Sequence, residues 1–402
     1  MEISLKETKD ERLLGILFVI CLFIPHSNSI FLLVPVVACL FLKLYTKPKR
    51  YGFYVNYFFA FLILITFALN VSRVTTFKPL LEFTNILMLF MLFPFVGNIK
   101  LRKKYLYISL GIIAITQLAF LFNIGFVQNF LDTYYPISEM YENSYLYMKE
   151  HIGVDNLASF RLGGIFRNQN QAARYISLLL AIFLIESKDD KSRWRYVYCL
   201  ASFFCVALTG SRTGFVVVSA MIMFDFFIDK GIKFQTKINV ILLGLAVITF
   251  LISLLSVDLE NYRFLQVLEG FSNSADSKWY VLIDYITYED SFINLLFGNL
   301  SSTLFVPTGN VMETFDSEYG NLFFSYGLFG TFLLLLFYLS LFVKINRETR
   351  VIFIFLLWSV SSTIIFSYRT SFLFMLLLSK YYNYSIESKS KLLCLYFKTK
   401  SC

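Results

Sequence analysis

Two stretches of the chain, INVILLGLAVITFLISLLS (residues 238–256) and NLFFSYGLFGTFLLLLFYLSLF (residues 321–342), run for 19 and 22 residues without a charged side chain. At about 1.5 Å of rise per residue, a helix of either length reaches across a hydrocarbon layer roughly 30 Å thick. Lipid offers no partner to backbone N–H and C=O groups, so such segments are expected to be helices, whose backbone bonds close internally. The rest of the chain is of the same kind. Over 402 residues it is 57% hydrophobic, with a mean hydropathy of +0.65, too apolar for a soluble enzyme of this length.

The pattern predicts an all-α, polytopic integral membrane protein of about twelve spans. They lie near residues 13–25, 30–45, 53–70, 80–97, 105–123, 170–186, 196–209, 214–228, 238–256, 319–343, 351–367 and 370–382. The first apolar run follows MEISLKETKDER and ends in IPHSNS. It lacks the small-residue pattern of a cleavable signal and is expected to be the first helix of the bundle. Cys21, Cys39, Cys199, Cys205, Cys394 and Cys402 fall in spans or in the tail, so neither a disulfide framework nor a zinc site is indicated. No internal repeat or Gly/Ser linker interrupts the chain, which reads as one integral membrane domain, residues 1–402, with a tail near 383–402.

The formal charge of +9 invites a nucleic-acid reading, but the distribution of charge points elsewhere. Alternate connections, KLYTKPKRYG, NIKLRKKY, ESKDDKSRWR, DKGIKFQTK and KINRETR, are rich in Lys and Arg. The bias towards basic cytoplasmic loops puts these connections and both termini in the cytoplasm. Of the 36 basic residues, 26 then lie inside and ten outside: Arg73, Lys78, Lys149, Arg161, Arg167, Arg174, Arg212, Arg263, Lys278 and Arg369. The outer set holds seven Arg and three Lys, whereas the inner set holds seven Arg and 19 Lys. Arg is the side chain of choice where a planar, permanently charged fork must hold phosphate or carboxylate. Pairing with outer acids is the plainer account of any single one.

Two outer connections are long, approximately 124–169 and 257–318. In the first, Ile137, Met140, Tyr141, Tyr145 and Met148 recur at helical spacing. They suggest a short helix on the membrane surface, an aromatic anchor or a platform for sugar rings.

Four segments, in order, resemble the O-antigen ligase/polymerase superfamily. RLGGIFRNQNQAARY (residues 161–175) is similar to the family's Arg–x–x–Gly–x–Phe–x–Asn–x–Asn lead into a helix, carried by Arg161, Gly164, Phe166, Asn168 and Asn170. LTGSRTG puts Ser211 and Arg212 at an outer junction of two spans, as in the family's Ser–Arg motif. SKWYVLIDYITYEDSFINLLFGN resembles a basic residue, helix and Phe–Gly turn, with Lys278 where the family has Arg. FDSEYGNLFFSYGLFG matches the family's glycine spacing at Gly327 and Gly330 and sets Asp316 where ligases carry histidine. The last two departures favour a polymerase over a ligase.

The resemblance implies a glycosyltransferase of GT-C-like fold in the bacterial plasma (inner) membrane. It would polymerise undecaprenyl-diphosphate-linked oligosaccharide repeat units into O-antigen or capsular polysaccharide at the outer face. Its partners would be that substrate, membrane lipid, a chain-length regulator and a flippase, with no nucleic acid. The alternatives are a ligase that moves finished glycan to an acceptor, and a lipid-linked oligosaccharide flippase or other transporter.

The chemistry accounts for the residue types. Negative charge gathers on the departing diphosphate, and prepositioned guanidinium groups in a low-dielectric pocket stabilise it. Arg161, Arg167, Arg174, Arg212 and Lys278 are the candidates for this role. Asn168 or Asn170 is a natural N-cap, aiming the positive end of a helix at the same group, and Gly163 and Gly164 permit close backbone approach. The attacking sugar hydroxyl must lose a proton, for which Asp316 and Glu318 are the candidate bases. Acids in the first turn of a helix also serve as caps. Gly327 and Gly330 are most simply helix-packing positions. The scheme requires no cofactor and no metal; the outer pair Glu289–Asp290 has no spaced acidic partners, and His151 reads as a polar loop residue.

Overall fold

Every regular element among the described residues of the computed structural model is a helix. The structure describes residues 8–23, 53–73, 101–122, 124–134, 162–166, 169–187, 193–228, 291–299 and 318–342, with single positions at 87, 235, 238, 286, 370, 373 and 377. In chain order the helices are α1 (Lys9–Phe23), α2 (Phe53–Asn70, continued by a 3-10 turn at Val71–Arg73), α3 (Lys103–Leu121), α4 (Gly125–Tyr134) and α5 (Gln169–Glu186). They continue with α6 (Arg193–Leu208), α7 (Arg212–Ile228), α8 (Phe292–Phe297) and α9 (Glu318–Phe342). Helices α1, α2, α3, α5, α6, α7 and α9 coincide with apolar segments expected from the sequence. The expected segments 30–45, 80–97, 238–256, 351–367 and 370–382, apart from single helical positions, lie outside the described residues, as does the 137–148 stretch. Helix α4 was not anticipated; it occupies the start of the first long connection.

The chain divides into two compact units. One comprises Met1–Leu106, Lys278–Ile345 and Ser359–Cys402, and the other Tyr107–Ser277 and Asn346–Trp358. Each draws on distant stretches, which is why no linker marks the division in the sequence.

In the first unit, α1 begins at a reciprocal cap. The Glu11 N–H donates to Thr8 Oγ1 and the Thr8 N–H donates to Glu11 Oε2, both at 3.2 Å. Two donors otherwise orphaned at the helix start are thereby satisfied. The same carboxylate oxygen accepts from Arg102, 2.8 Å from Nη2 and 2.9 Å from Nε. Further along, α2, α8 and α9 meet at a joint made of backbone. Helix α9 is interrupted at Gly327 (φ 67°, ψ −170°), and α8 ends at Gly298 (φ 84°, ψ 178°). A Cβ added at Gly327 would overlap the Leu296 carbonyl, and one at Gly298 would overlap the Ser325 carbonyl. The Asn299 N–H donates to the Phe324 carbonyl at 2.8 Å. Thr66 and Asn70, one turn apart on α2, donate to the Phe297 and Gly298 carbonyls, each at 2.9 Å. The uninterrupted span expected over 319–343 is therefore two helical pieces, because Gly327 adopts a backbone conformation open essentially only to glycine. Gly330 does act as a packing position: a Cβ there would lie 3.1 Å from Leu62 Cδ2.

In the second unit, α5 is buried along most of its length, with 14 of its 18 residues inside. It packs on α6 and α7, which also pack on each other. A helix apolar all round is stable only when enclosed in this way. Phe183 of α5 stacks on Tyr198 of α6 with ring centres 3.9 Å apart, and Tyr107 of α3 meets both rings edge-on. Arg195 near the start of α6 and Asp225 near the end of α7 form a buried ion pair, 5% and 9% exposed. Cys199 and Cys205 are buried free thiols.

Exposed positions are apolar as well. Trp194, Val197, Leu200 and Phe204 form an outward stripe along α6, as do Ile108, Ile115 and Leu118 along α3, and Leu328, Phe332 and Leu335 along α9. Among the described residues, α3 alone is both long and apolar enough to cross a membrane; shorter apolar helical segments are Phe61–Asn70, Trp194–Leu208, Thr213–Phe226 and Leu322–Leu333.

Candidate active site

The first two motif segments meet at one end of α5. Residues 162–166 form a tight, buried turn just before that helix, closed by the Phe166 N–H donating to the Gly163 carbonyl at 3.1 Å. Gly164 takes a positive φ of 61°. A Cβ there would sit 2.6 Å from Thr116 Oγ1, so only glycine lets this turn lie on α3. The Leu162 N–H donates to the Leu208 carbonyl at the end of α6 (2.9 Å), joining the turn to the LTGSRTG segment. Phe166 is buried and its ring tilts against Tyr175 at 5.0 Å.

In the second segment, Ser211 is the N-cap of α7. Its Oγ accepts from the Gly214 N–H at 3.3 Å, the bond expected of a serine preceding a helix. Arg212 is thus the first helical residue. A Cβ at Gly214 would lie 2.8 Å from Ala173 Cβ, so the first turn of α7 rests directly on the first turns of α5. Both helices present their N-terminal, positive-dipole ends within the same region of this unit.

Of the sequence candidates here, Arg174 is 6% exposed, and its Nε donates to the Asn170 carbonyl at 3.1 Å. Asn170 is the second residue of α5 rather than the residue before it, and its side chain is exposed, so the helix starts two residues earlier than an Asn170 cap requires. Arg161, Arg167 and Asn168 lie outside the described residues.

The third and fourth segments meet in the other unit, at the Gly298–Gly327 joint. Glu318 is the first residue of α9, nine residues before the break. Asp316, Lys278, His151, Glu289 and Asp290 lie outside the described residues.

Four polar residues that build these arrangements carry no motif: Thr116 and Gln117 on α3, and Thr66 and Asn70 on α2. The signal was present in the sequence as polar pairs inside otherwise apolar helices, which must find partners when water is absent. No protein-family model matches the chain, and no curated protein matches it.

Proposed function

We propose that the protein is an integral membrane glycosyltransferase that extends bacterial surface polysaccharide. It transfers a growing glycan from undecaprenyl diphosphate to the terminal sugar of a newly delivered, lipid-linked repeat unit, at the extracytoplasmic face of the plasma membrane. The architecture is a GT-C-like bundle of about twelve spans, and the transfer needs no metal and no cofactor. Its membrane setting is supported by the apolar stripes that α3, α6 and α9 turn outward, which in water would drive aggregation.

The observation that carries the chemical reading is the junction of two motif segments in one unit. The turn between Arg161 and Arg167 is bonded to the end of α6, and the start of α7 bearing Arg212 packs on the start of α5. A diphosphate leaving group calls for cationic side chains beside helix N-termini, and the N-terminal turns of α5 and α7 are what this unit brings together. Asp316 and Glu318 are the proposed bases for the acceptor hydroxyl, and Lys278 a further cationic contact.

Arg161→Ala and Arg212→Ala are each expected to abolish chain extension at unchanged membrane protein level. Losing one donor that stabilises transition-state charge commonly lowers turnover by about 100- to 1,000-fold. Gel analysis of surface polysaccharide reads the outcome: single repeat units in place of long chains. Long polymer retained in both variants refutes the diphosphate role.

One feature favours a transporter, since interrupted spanning helices often form transport sites. The interruption at Gly327 is filled by the end of α8, with the Phe324 carbonyl bonded to the Asn299 N–H. It is a packing joint.

A further inference from the structure

We propose that Thr116 and Gln117 of α3 are positioning residues that latch the turn between Arg161 and Arg167, and so set the diphosphate site without touching substrate. The directions of the hydrogen bonds carry this. Gln117 Nε2 faces two acceptors, the Leu162 carbonyl at 2.9 Å and the Cys205 carbonyl at 3.0 Å. Both amide protons are thereby committed, and the orientation of the side-chain amide is fixed by chemistry. One side chain consequently ties the turn after Arg161 to the last turns of α6.

Thr116 acts at the other end of the same turn. Its hydroxyl proton is directed at its own helix, where the Ile112 and Ile113 carbonyls both lie at 2.9 Å. The lone pairs are left for the Ile165 N–H, which donates at 3.1 Å. Both latch residues are buried, and Gly164, with its positive φ, lies flat against them. The chain is therefore anchored at Leu162, next to Arg161, and at Ile165, two residues before Arg167. Five residues separate the two arginines, and two of those five are held by adjacent side chains of a single helix. Free rotation of the 162–166 backbone is removed, and a fixed backbone on both sides is what transition-state stabilisation by prepositioned groups requires of the chain that carries them.

The inference rests on the proposed diphosphate role, but its first test does not. In the full-length chain with its six cysteines replaced by alanine, Arg167→Cys is labelled in membranes with an impermeant maleimide. Adding Gln117→Met, which keeps the shape and deletes both donors, is expected to raise the labelling rate about tenfold, the factor set by losing two buried hydrogen bonds at the lower end of their usual net worth. Thr116→Val, a gentler change, should act in the same direction. A control cysteine, Asn129→Cys on the exposed face of α4, should be unaffected. An unchanged rate at position 167 with both substitutions overturns the proposal, and so does an equal rise at position 129.

A second readout uses the chain with its cysteines and arginines intact. Gln117→Met is expected to raise KM for the lipid-linked repeat unit and to lower kcat at normal membrane protein level. Unaltered kcat and KM overturn the positioning role even where labelling changes. Failure of the function itself is separately visible as polymer retained in Arg161→Ala.

Discussion

Gly327→Ala is expected to destabilise the protein by about 2–6 kcal/mol, combining backbone strain with forced overpacking. Gly327 occupies φ 67°, ψ −170°, a region that a Cβ makes costly, and the added methyl would overlap the Leu296 carbonyl. Backbone cannot rotate aside as a long side chain can, so relief demands that α8 and α9 separate. Separation would in turn strain the bonds from Thr66 and Asn70 to the end of α8. Gly298→Ala meets the reciprocal obstacle at Ser325 and should behave alike. Gly111→Ala is the control: it lies within α3 and an added Cβ meets nothing within 4 Å. Alanine favours the helical state by up to about 1 kcal/mol over glycine. The apparent Tm of detergent-solubilised protein should fall sharply for the first two variants and stay level or rise for the third. Equal behaviour of all three would mean that the joint is not close-packed.

Asp225→Ala is expected to cost about 3–5 kcal/mol, because it strands the guanidinium of Arg195 in a buried site. The pair links α6 to α7 at the end of the hairpin opposite the Ser211 cap, about 20 Å away along α6 at 1.5 Å per residue. Loss of the pair would therefore loosen the helices on which α5 rests. Replacing both partners by apolar residues, Arg195→Met with Asp225→Leu, should recover most of the loss, since the desolvation penalty of the ions disappears with them. Folded yield and Tm of the two single variants and the double variant form the measurement. A double variant as unstable as the single ones would show that the ion pair is not the cause.

The helices were legible because long apolar windows leave the backbone little choice. KKYLYISLGIIAITQLAFL and FYVNYFFAFLILITFALN read as helices and are helices. The cap of α1 is legible as well, in Thr8 followed three residues later by Glu11 ahead of an apolar run. The break at Gly327 was not. SYGLFG contains two glycines three residues apart, and composition does not distinguish the one that breaks a helix from the one that packs against Leu62. What distinguishes them is the end of α8, which arrives from a separate segment. The solitary Asp225 within MIMFDFFI announced a need for a partner, but choosing Arg195 required the antiparallel register of α6 and α7.

The motif segments are legible in the sequence, and the residues that support them are less so. Ser211 was singled out from its motif, and its capping bond gives that choice a physical reason. Gly163 and Gly164 were expected to allow close approach, and the approach seen is of the turn to α3. Thr116 and Gln117 were overlooked because hydropathy averages hide two polar residues in a helix of nineteen.

In the proposed function, guanidinium groups flanking the 162–166 turn and opening α7 hold a polyprenyl diphosphate while its glycan is transferred. Purified protein in detergent, given undecaprenyl-diphosphate-linked repeat units and no metal, tests it most directly. The proposed function requires a ladder of longer lipid-linked glycans with stoichiometric release of undecaprenyl diphosphate, both lost in Arg161→Ala. Recovery of the repeat units unextended, by protein that is folded and monodisperse, would contradict it.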